Sequence, residues 1–124
     1  STLKAIMNLK QYQWKNRLLL VFASSPEDEE YQEQLEHLNN DHELAERDLI
    51  MFHLFESDSG FAGEMRLSEE NVAQLREKFS IQPQAFTLVL LGKDGTEKQR
   101  WNRAVESDAL FGLIDDMPMR QQEM

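Results

Sequence analysis

Residues 18–28, LLLVFASSPED, pass from an unbroken apolar run to a helix start within a few positions. An apolar run of this length is typical of a central strand that is covered on both faces. Ser25 suits the position before a helix, Pro26 suits its first turn, and Asp28 completes a capping box. The segment therefore predicts a buried strand at 18–23 that leads directly into a helix.

Further strands and helices are predicted downstream of this segment. Residues 48–55 form a second apolar run, and the glycine-containing residues 57–63 are typical of a loop. Ser68 is a suitable cap for a second helix, and residues 86–91 have the composition of a third buried strand. The alternation of strands and helices indicates an α/β protein.

The C-terminal third of the sequence predicts a hairpin and a last helix. Residues 93–96 carry Asp-Gly at the centre of a turn, and 97–101 would be the returning strand. Ser107 is a candidate cap for the last helix, which we expect Pro118 to stop.

The predicted order is strand, helix, strand, helix, strand, hairpin, strand, helix. This is the thioredoxin arrangement, and right-handed crossover leaves few other topologies. We therefore predict a single thioredoxin-like α/β domain over 1–124, with a mixed central sheet of about four strands flanked by helices. A flavodoxin-like sheet is the alternative, but it needs more parallel strands than 124 residues provide.

The charge is strongly acidic and unevenly distributed. The formal net charge is −10, and residues 27–46 contain nine acidic side chains and no lysine or arginine. This charge opposes binding to nucleic acid or to an anionic membrane, both of which attract basic proteins. No apolar run approaches the ~20 residues of a membrane-spanning helix, so we expect a protein that does not span a membrane.

The chain contains no cysteine, which removes disulfides, thiolate metal sites and cysteine nucleophiles. Thioredoxin-like enzymes carry their reactive thiol just after the first strand, where this chain has Ser24 and Ser25. Their conserved cis-proline precedes the third strand, where this chain has Ala85 and Phe86. A serine nucleophile needs a base, and no histidine is nearby in the sequence. Thiol redox activity is therefore excluded.

The three histidines do not form a metal-binding motif. His37 and His42 are five residues apart, which differs from the i, i+4 spacing that places two ligands on one helix face. His53 alternates with apolar residues on a predicted strand, where a packed histidine is the simpler interpretation. We predict no metal site and no cofactor.

Two clusters could form binding surfaces. The basic cluster could hold an anionic or peptide ligand, or could simply protect an edge hairpin from aggregation; it consists of Lys93, Lys98, Arg100 and Arg103 near Trp101. Residues 117–120, MPMR, could fill the core or offer an adaptable contact surface. In this block we expect Met117 to be buried and Arg120 to be exposed, with little influence of Arg120 on stability.

Four segments together resemble a known family. They are WKNR at 14–17, RDL at 47–49, GKDG at 92–95 and MPMRQQEM at 117–124. The chain resembles a thioredoxin-like family of domains of unknown function from exported bacterial proteins. That family is related to domains in animal sushi-repeat and coiled-coil-domain proteins of the extracellular matrix, the P-DUDES group.

The resemblance implies a thioredoxin- or peroxiredoxin-like fold without an established activity. It also implies a periplasmic or secreted protein, with a signal peptide removed before Ser1. The function expected is a non-catalytic module that binds a protein or peptide. The alternative is an enzyme, a hydrolase or a cofactor-assisted reductase, with its site near the first strand–helix junction. The residues expected to form a site are Ser24, Ser25, Lys93, Asp94, Arg100, Met119 and Arg120.

Overall fold

The computed structural model describes residues 8–124 and contains six strands and five α-helices, after a 3-10 helix at Leu9–Tyr12. The strands are β1 (Arg17–Ala23), β2 (Leu49–Phe55), β3 (Gly60–Ala62), β4 (Met65–Leu67), β5 (Thr87–Leu91) and β6 (Glu97–Trp101). The helices are α1 (Glu29–His37), α2 (Asp41–Glu46), α3 (Glu69–Lys78), α4 (Ser107–Asp115) and α5 (Pro118–Glu123).

The strands form one mixed sheet in the order β4-β3-β2-β1-β5-β6. The central strand β1 is parallel to β2 and antiparallel to β5, and the remaining neighbours are antiparallel. The predicted mixed α/β architecture is therefore confirmed, but the sheet has six strands rather than about four. The expected loop at 57–63 contains β3, which has only three residues and is too short for an alternating pattern to reveal it.

All seven residues of β1 are buried, because helices cover both faces of the sheet. Alternate side chains enter two separate cores. Leu19 and Val21 pack in the core under α1, α2 and α4, whereas Leu20 and Phe22 pack in the core under α3. The sequence run that predicted a strand covered on both faces is the centre of the fold.

The first helix begins later than the sequence predicted. Its cap is Asp28, whose Oδ1 accepts the backbone N–H of Tyr31 at 3.1 Å. Ser25 instead forms a turn before the helix, because its carbonyl accepts the backbone N–H of Asp28 at 3.2 Å. The prediction of Ser68 as a cap is confirmed: its hydroxyl accepts the backbone N–H of Asn71 at 3.0 Å.

The sequence predicted α4 as the last helix, but a further helix, α5, follows it. Ser107 is the first residue of α4 rather than its cap, which is Glu106, without a side-chain hydrogen bond. Pro118 follows the end of α4 but also occupies the first turn of α5, a position that proline favours. The chain after Pro118 therefore folds back as a helix.

Candidate functional site

The two serines expected at the thiol position serve the local backbone. Ser24 follows the last residue of β1, and its hydroxyl donates to Oδ2 of Asp28 at 3.2 Å. The hydroxyl of Ser25 accepts the backbone N–H of Glu27 at 3.3 Å. An acidic partner orients a hydroxyl but does not activate it as a histidine would. Both side chains therefore stabilise the turn before α1.

The exposed cations of the hairpin are paired with acids of the same hairpin. Lys98 donates to Asp94 at 2.9 Å, and Arg100 donates to both oxygens of Glu97 at 2.8 Å. The pKa of Asp94 is lowered to about 2, mainly by the hydrogen bond from the backbone N–H of Thr96 and next by the hydrogen bond from Lys98. Arg100 also donates to the carbonyl of Phe79 at 2.7 Å, which ties β6 to the end of α3.

Lys93 is buried, and its ammonium group pairs with acids outside the hairpin. Its Nζ donates to Asp48 at 2.8 Å and to Glu123 at 2.7 Å. It belongs to an ionic cluster of four basic side chains and five carboxylates. We call this group the ionic cluster; its members are Arg17, Arg47, Lys93, Arg120, Glu43, Glu46, Asp48, Asp115 and Glu123.

The expectation of an exposed Arg120 is wrong. The side chain is 3% exposed, and it donates to Asp115 at 2.9 Å and to Glu46 at 3.0 Å. The cause is α5, which turns the C-terminal block back toward α2 and α4. Met117, which we expected to be buried, packs against the core but is only half-buried. Met119 is 37% exposed.

A cleft of about 270 Å³ brings Lys93 and Lys98 of the basic cluster together with residues 117–119 of the C-terminal block. We call it the hairpin–C-terminal cleft; its lining residues include Lys93, Asp94, Lys98, Met117, Pro118 and Met119. Three of the expected site residues, Lys93, Asp94 and Met119, meet here. Ser24 and Ser25 follow the opposite end of β1, and Arg120 belongs to the ionic cluster.

An exposed tryptophan is joined through its backbone to Lys93, which lines the hairpin–C-terminal cleft. Trp14 is 62% exposed, and its backbone N–H donates to the carbonyl of Lys93 at 2.6 Å. Met124, which is 71% exposed, follows Glu123, a partner of Lys93. Sequence reasoning used Trp14 only as part of a motif. The available signal was a large aromatic residue within the polar segment 13–17.

His53 is held in an aromatic environment on β2. Its Nδ1 lies 2.9 Å from the hydroxyl of Tyr31, and its ring stacks on Phe61 with centroids 4.2 Å apart. Burial lowers the pKa of His53 to about 4. The side chain is therefore neutral at physiological pH and packs as the sequence suggested.

One group of potential metal ligands occurs in residues 8–124. His42, Glu43 and Glu46 have ligand atoms within 4.8 Å of one another. Both carboxylates already pair with guanidinium groups, Glu43 with Arg47 and Glu46 with Arg120. A metal ion would have to compete with these ion pairs. In the same part of the chain, no helix combines the length and the apolarity needed to cross a bilayer.

The fold is similar to that of a crystallised peroxiredoxin. The reduced 2-Cys peroxiredoxin of Plasmodium vivax superposes with a TM-score of 0.68 and 17% sequence identity, covering 94% of this chain and 85% of the other. This similarity confirms the thioredoxin-like fold. It does not extend to the thiol chemistry, because this chain has no cysteine.

Three animal proteins are similar in sequence over 94% of the chain. They are coiled-coil domain-containing protein 80 of Danio rerio at 31% identity, sushi repeat-containing protein SRPX of Homo sapiens at 32%, and SRPX2 of Rattus norvegicus at 28%. The chain spans 15% of the first protein and 26% of each of the other two. The family described as "Domain of unknown function (DUF4174)" matches residues 8–123. The chain therefore belongs to the DUF4174 family.

Proposed function

We propose that this domain is a non-catalytic module that binds a protein or peptide through the hairpin–C-terminal cleft. The observation that carries the proposal is the convergence of Lys93, Asp94 and Met119 on this cleft. Two clusters that are separate in the sequence form one concave surface, and Met119 offers it an adaptable apolar contact.

The exposed indole of Trp14 supports this choice. Large aromatic residues supply much of the binding energy in protein interfaces, and most proteins bury them. Trp14 is connected to the wall of the cleft through its backbone hydrogen bond to Lys93. A partner in the cleft could contact Met119 while a polar group reaches Lys98, which is 35% exposed.

The alternative, an enzyme with its site near the first strand–helix junction, has weaker support. It would place the chemistry on Ser24 or Ser25, and both hydroxyls are used by the turn before α1. The histidine on the neighbouring strand, His53, is bonded to Tyr31 and packed on Phe61. These contacts favour a structural role for this end of the sheet.

Selection of ligands from a displayed random-peptide library tests the proposal. Enriched peptides would be synthesised, and their Kd values would be measured by calorimetry for the wild type, Met119→Glu and Leu113→Glu. Leu113 is a matched control because it is also exposed, at 36%, but lies on α4 outside the cleft. We expect Met119→Glu to weaken binding about tenfold or more and Leu113→Glu to leave it unchanged. Failure to enrich any peptide, or equal binding by both variants, would contradict the proposal.

We further propose that the protein is exported, to the periplasm or the medium, which the family resemblance implies. Fractionation of native-host cells with an antibody against the domain tests this. Recovery in the periplasmic fraction or medium supports export, and recovery with a cytoplasmic marker contradicts it.

A further inference from the structure

In residues 8–124, the first part of β2 has an edge that no other strand covers. On β2, the strand β3 pairs with His53 and Leu54, and it ends at Ala62. The first part of β2, Leu49–Met51, therefore has β1 on one side and no strand on the other within residues 8–124. We call this stretch the open edge.

The direction of the backbone groups follows from two hydrogen bonds. Arg17 donates its N–H to the carbonyl of Asp48 at 2.9 Å, and Glu56 donates its N–H to the carbonyl of Ala23 at 3.0 Å. Even-numbered residues of this strand therefore face β1, and odd-numbered residues face away, because backbone groups alternate along a strand. The N–H and C=O groups of Leu49 and Met51 consequently point toward the open edge.

A groove runs beside the open edge. Its volume is about 550 Å³, and helices α1 and α2 form its other wall. The residues that matter for a ligand are Leu35, Leu38, Asp41, Leu44, Ala45 and Met51. An extended chain paired with the open edge would direct alternate side chains into this largely apolar groove.

The outer edge of the sheet at β6 is different. That strand carries Glu97, Lys98, Gln99 and Arg100, and such charged and polar side chains discourage pairing with another chain. The open edge has the sequence Leu49-Ile50-Met51 and no comparable protection. The contrast favours the open edge as the place where an added strand would be accepted.

Charge selects the occupant. The wall formed by α1 and α2 belongs to the segment 27–46, which has no lysine or arginine. Its acids Glu43 and Glu46 are already paired with Arg47 and Arg120, so they are not available to a ligand. Asp41 is exposed at the groove, and Glu64 is exposed next to Gly63 at its other end.

We propose that the open edge binds an extended segment of a partner protein in which apolar and basic residues alternate, by strand addition to β2. The apolar residues would enter the groove, and the basic residues would meet the acidic rim.

Three fluorescent peptides of equal length test this proposal: alternating valine and lysine, alternating valine and glutamate, and the valine–lysine peptide with every backbone nitrogen methylated. Fluorescence anisotropy gives the Kd of each. We expect only the first to bind measurably, because methylation removes the donors that strand addition needs. Comparable binding of the methylated or the glutamate peptide would overturn the proposal.

Two matched variants locate the binding. Ala45 and Ala73 are both exposed alanines on helices, but only Ala45 lines the groove. Ala45→Lys should weaken binding of the valine–lysine peptide about tenfold, because it places a like charge beside the ligand. Ala73→Lys should leave the Kd unchanged. Met119→Glu should also have no effect, which separates this proposal from the function of the hairpin–C-terminal cleft.

Amide chemical shifts give an independent readout. The largest changes should fall on Leu49 and Met51, with slower hydrogen exchange at both amides when the peptide is bound. Equal effects of the two alanine variants, or shift changes confined to another surface, would contradict strand addition. A dimer that forms through this edge without peptide would identify a second copy as the occupant and would also overturn the proposal.

Discussion

The guanidinium of Arg17 holds both carboxylate oxygens of Glu123, each at 3.1 Å, across 106 residues of sequence. Arg17 is 1% exposed, and it also donates to the carbonyl of Arg47 at 2.9 Å. Two parallel hydrogen bonds of this kind fix geometry as well as charge. The start of the central strand is thereby attached to the last helix, and Lys93 reinforces the attachment through the same carboxylate.

Replacing Glu123 should strongly destabilise the fold. Glu123→Ala leaves Arg17 without its carboxylate in a buried position, and breaking such a pair costs about 3–5 kcal/mol. The neighbouring Gln122→Ala is the control because Gln122 is exposed. Urea unfolding of both variants gives the comparison. A loss below about 1 kcal/mol for Glu123→Ala, typical of exposed ion pairs, would show that the attachment is unimportant.

Arg120 should also be important for stability, in contrast to the prediction from sequence. Arg120→Ala removes the donor that joins Asp115 to Glu46, and we expect a loss of about 3 kcal/mol or more. Met117→Ala should cost less than about 2 kcal/mol because Met117 is only half-buried. Arg103→Ala is an exposed control. The order is tested by denaturant midpoints, and a larger loss for Met117→Ala would contradict the role assigned to Arg120.

His53 should make stability depend on pH in a defined window. Its folded-state pKa is about 4, below the usual 6.5, because it is buried. Between these values the unfolded chain binds a proton that the folded chain does not. The free energy of unfolding is therefore unaffected by protonation of His53 above pH 6.5. It decreases as the pH falls toward 4, by at most about 3 kcal/mol.

The variant His53→Gln should lose this slope between pH 6.5 and 4. Unfolding free energies would be measured across that range for both proteins. The pKa of Asp115 is lowered by its hydrogen bonds to Arg47. Burial raises the pKa of Glu123, but hydrogen bonds to Arg17 and Lys93 together outweigh burial and lower it. Both carboxyl groups affect stability at lower pH in both proteins. An unchanged slope in the variant would assign the dependence to another group.

The domain should not catalyse thiol chemistry. With no cysteine, it has no thiol that a peroxide or disulfide could oxidise or that could reduce insulin. Insulin reduction and thiol-dependent peroxidase assays should give the buffer rate. Turnover that co-purifies with the domain through repeated chromatography, and that disappears in a destabilised variant such as Glu123→Ala, would contradict this prediction.

The central strands could be predicted because a long apolar run has few interpretations, and the Asp-Gly turn specifies a hairpin. The short strand β3 could not be predicted, since three residues are too few to show a period. Burial of Arg120 was also missed. Its partners Glu46 and Asp115 belong to other helices, and nothing in the local sequence indicates that Glu46, which is 74 residues away, will meet Arg120.

The hairpin–C-terminal cleft illustrates the same limit. Sequence patterns identified the basic hairpin and the methionine block separately, but their contact depends on α5 folding back after Pro118. Trp14, which is 62% exposed, also has a left-handed backbone, with φ of 70°. Such a conformation is uncommon for a large side chain and is not indicated by composition.

The most direct test of the proposed binding role is a titration of the isotope-labelled domain with a library-selected peptide, followed by amide chemical shifts. We expect the largest changes to fall on Trp14, Lys93, Asp94 and Met119, with little change at Ser24 and Ser25. Changes concentrated at Ser24 and Ser25 would place the ligand where thioredoxin-like enzymes carry their reactive thiol. That result would contradict the hairpin–C-terminal cleft as the binding site.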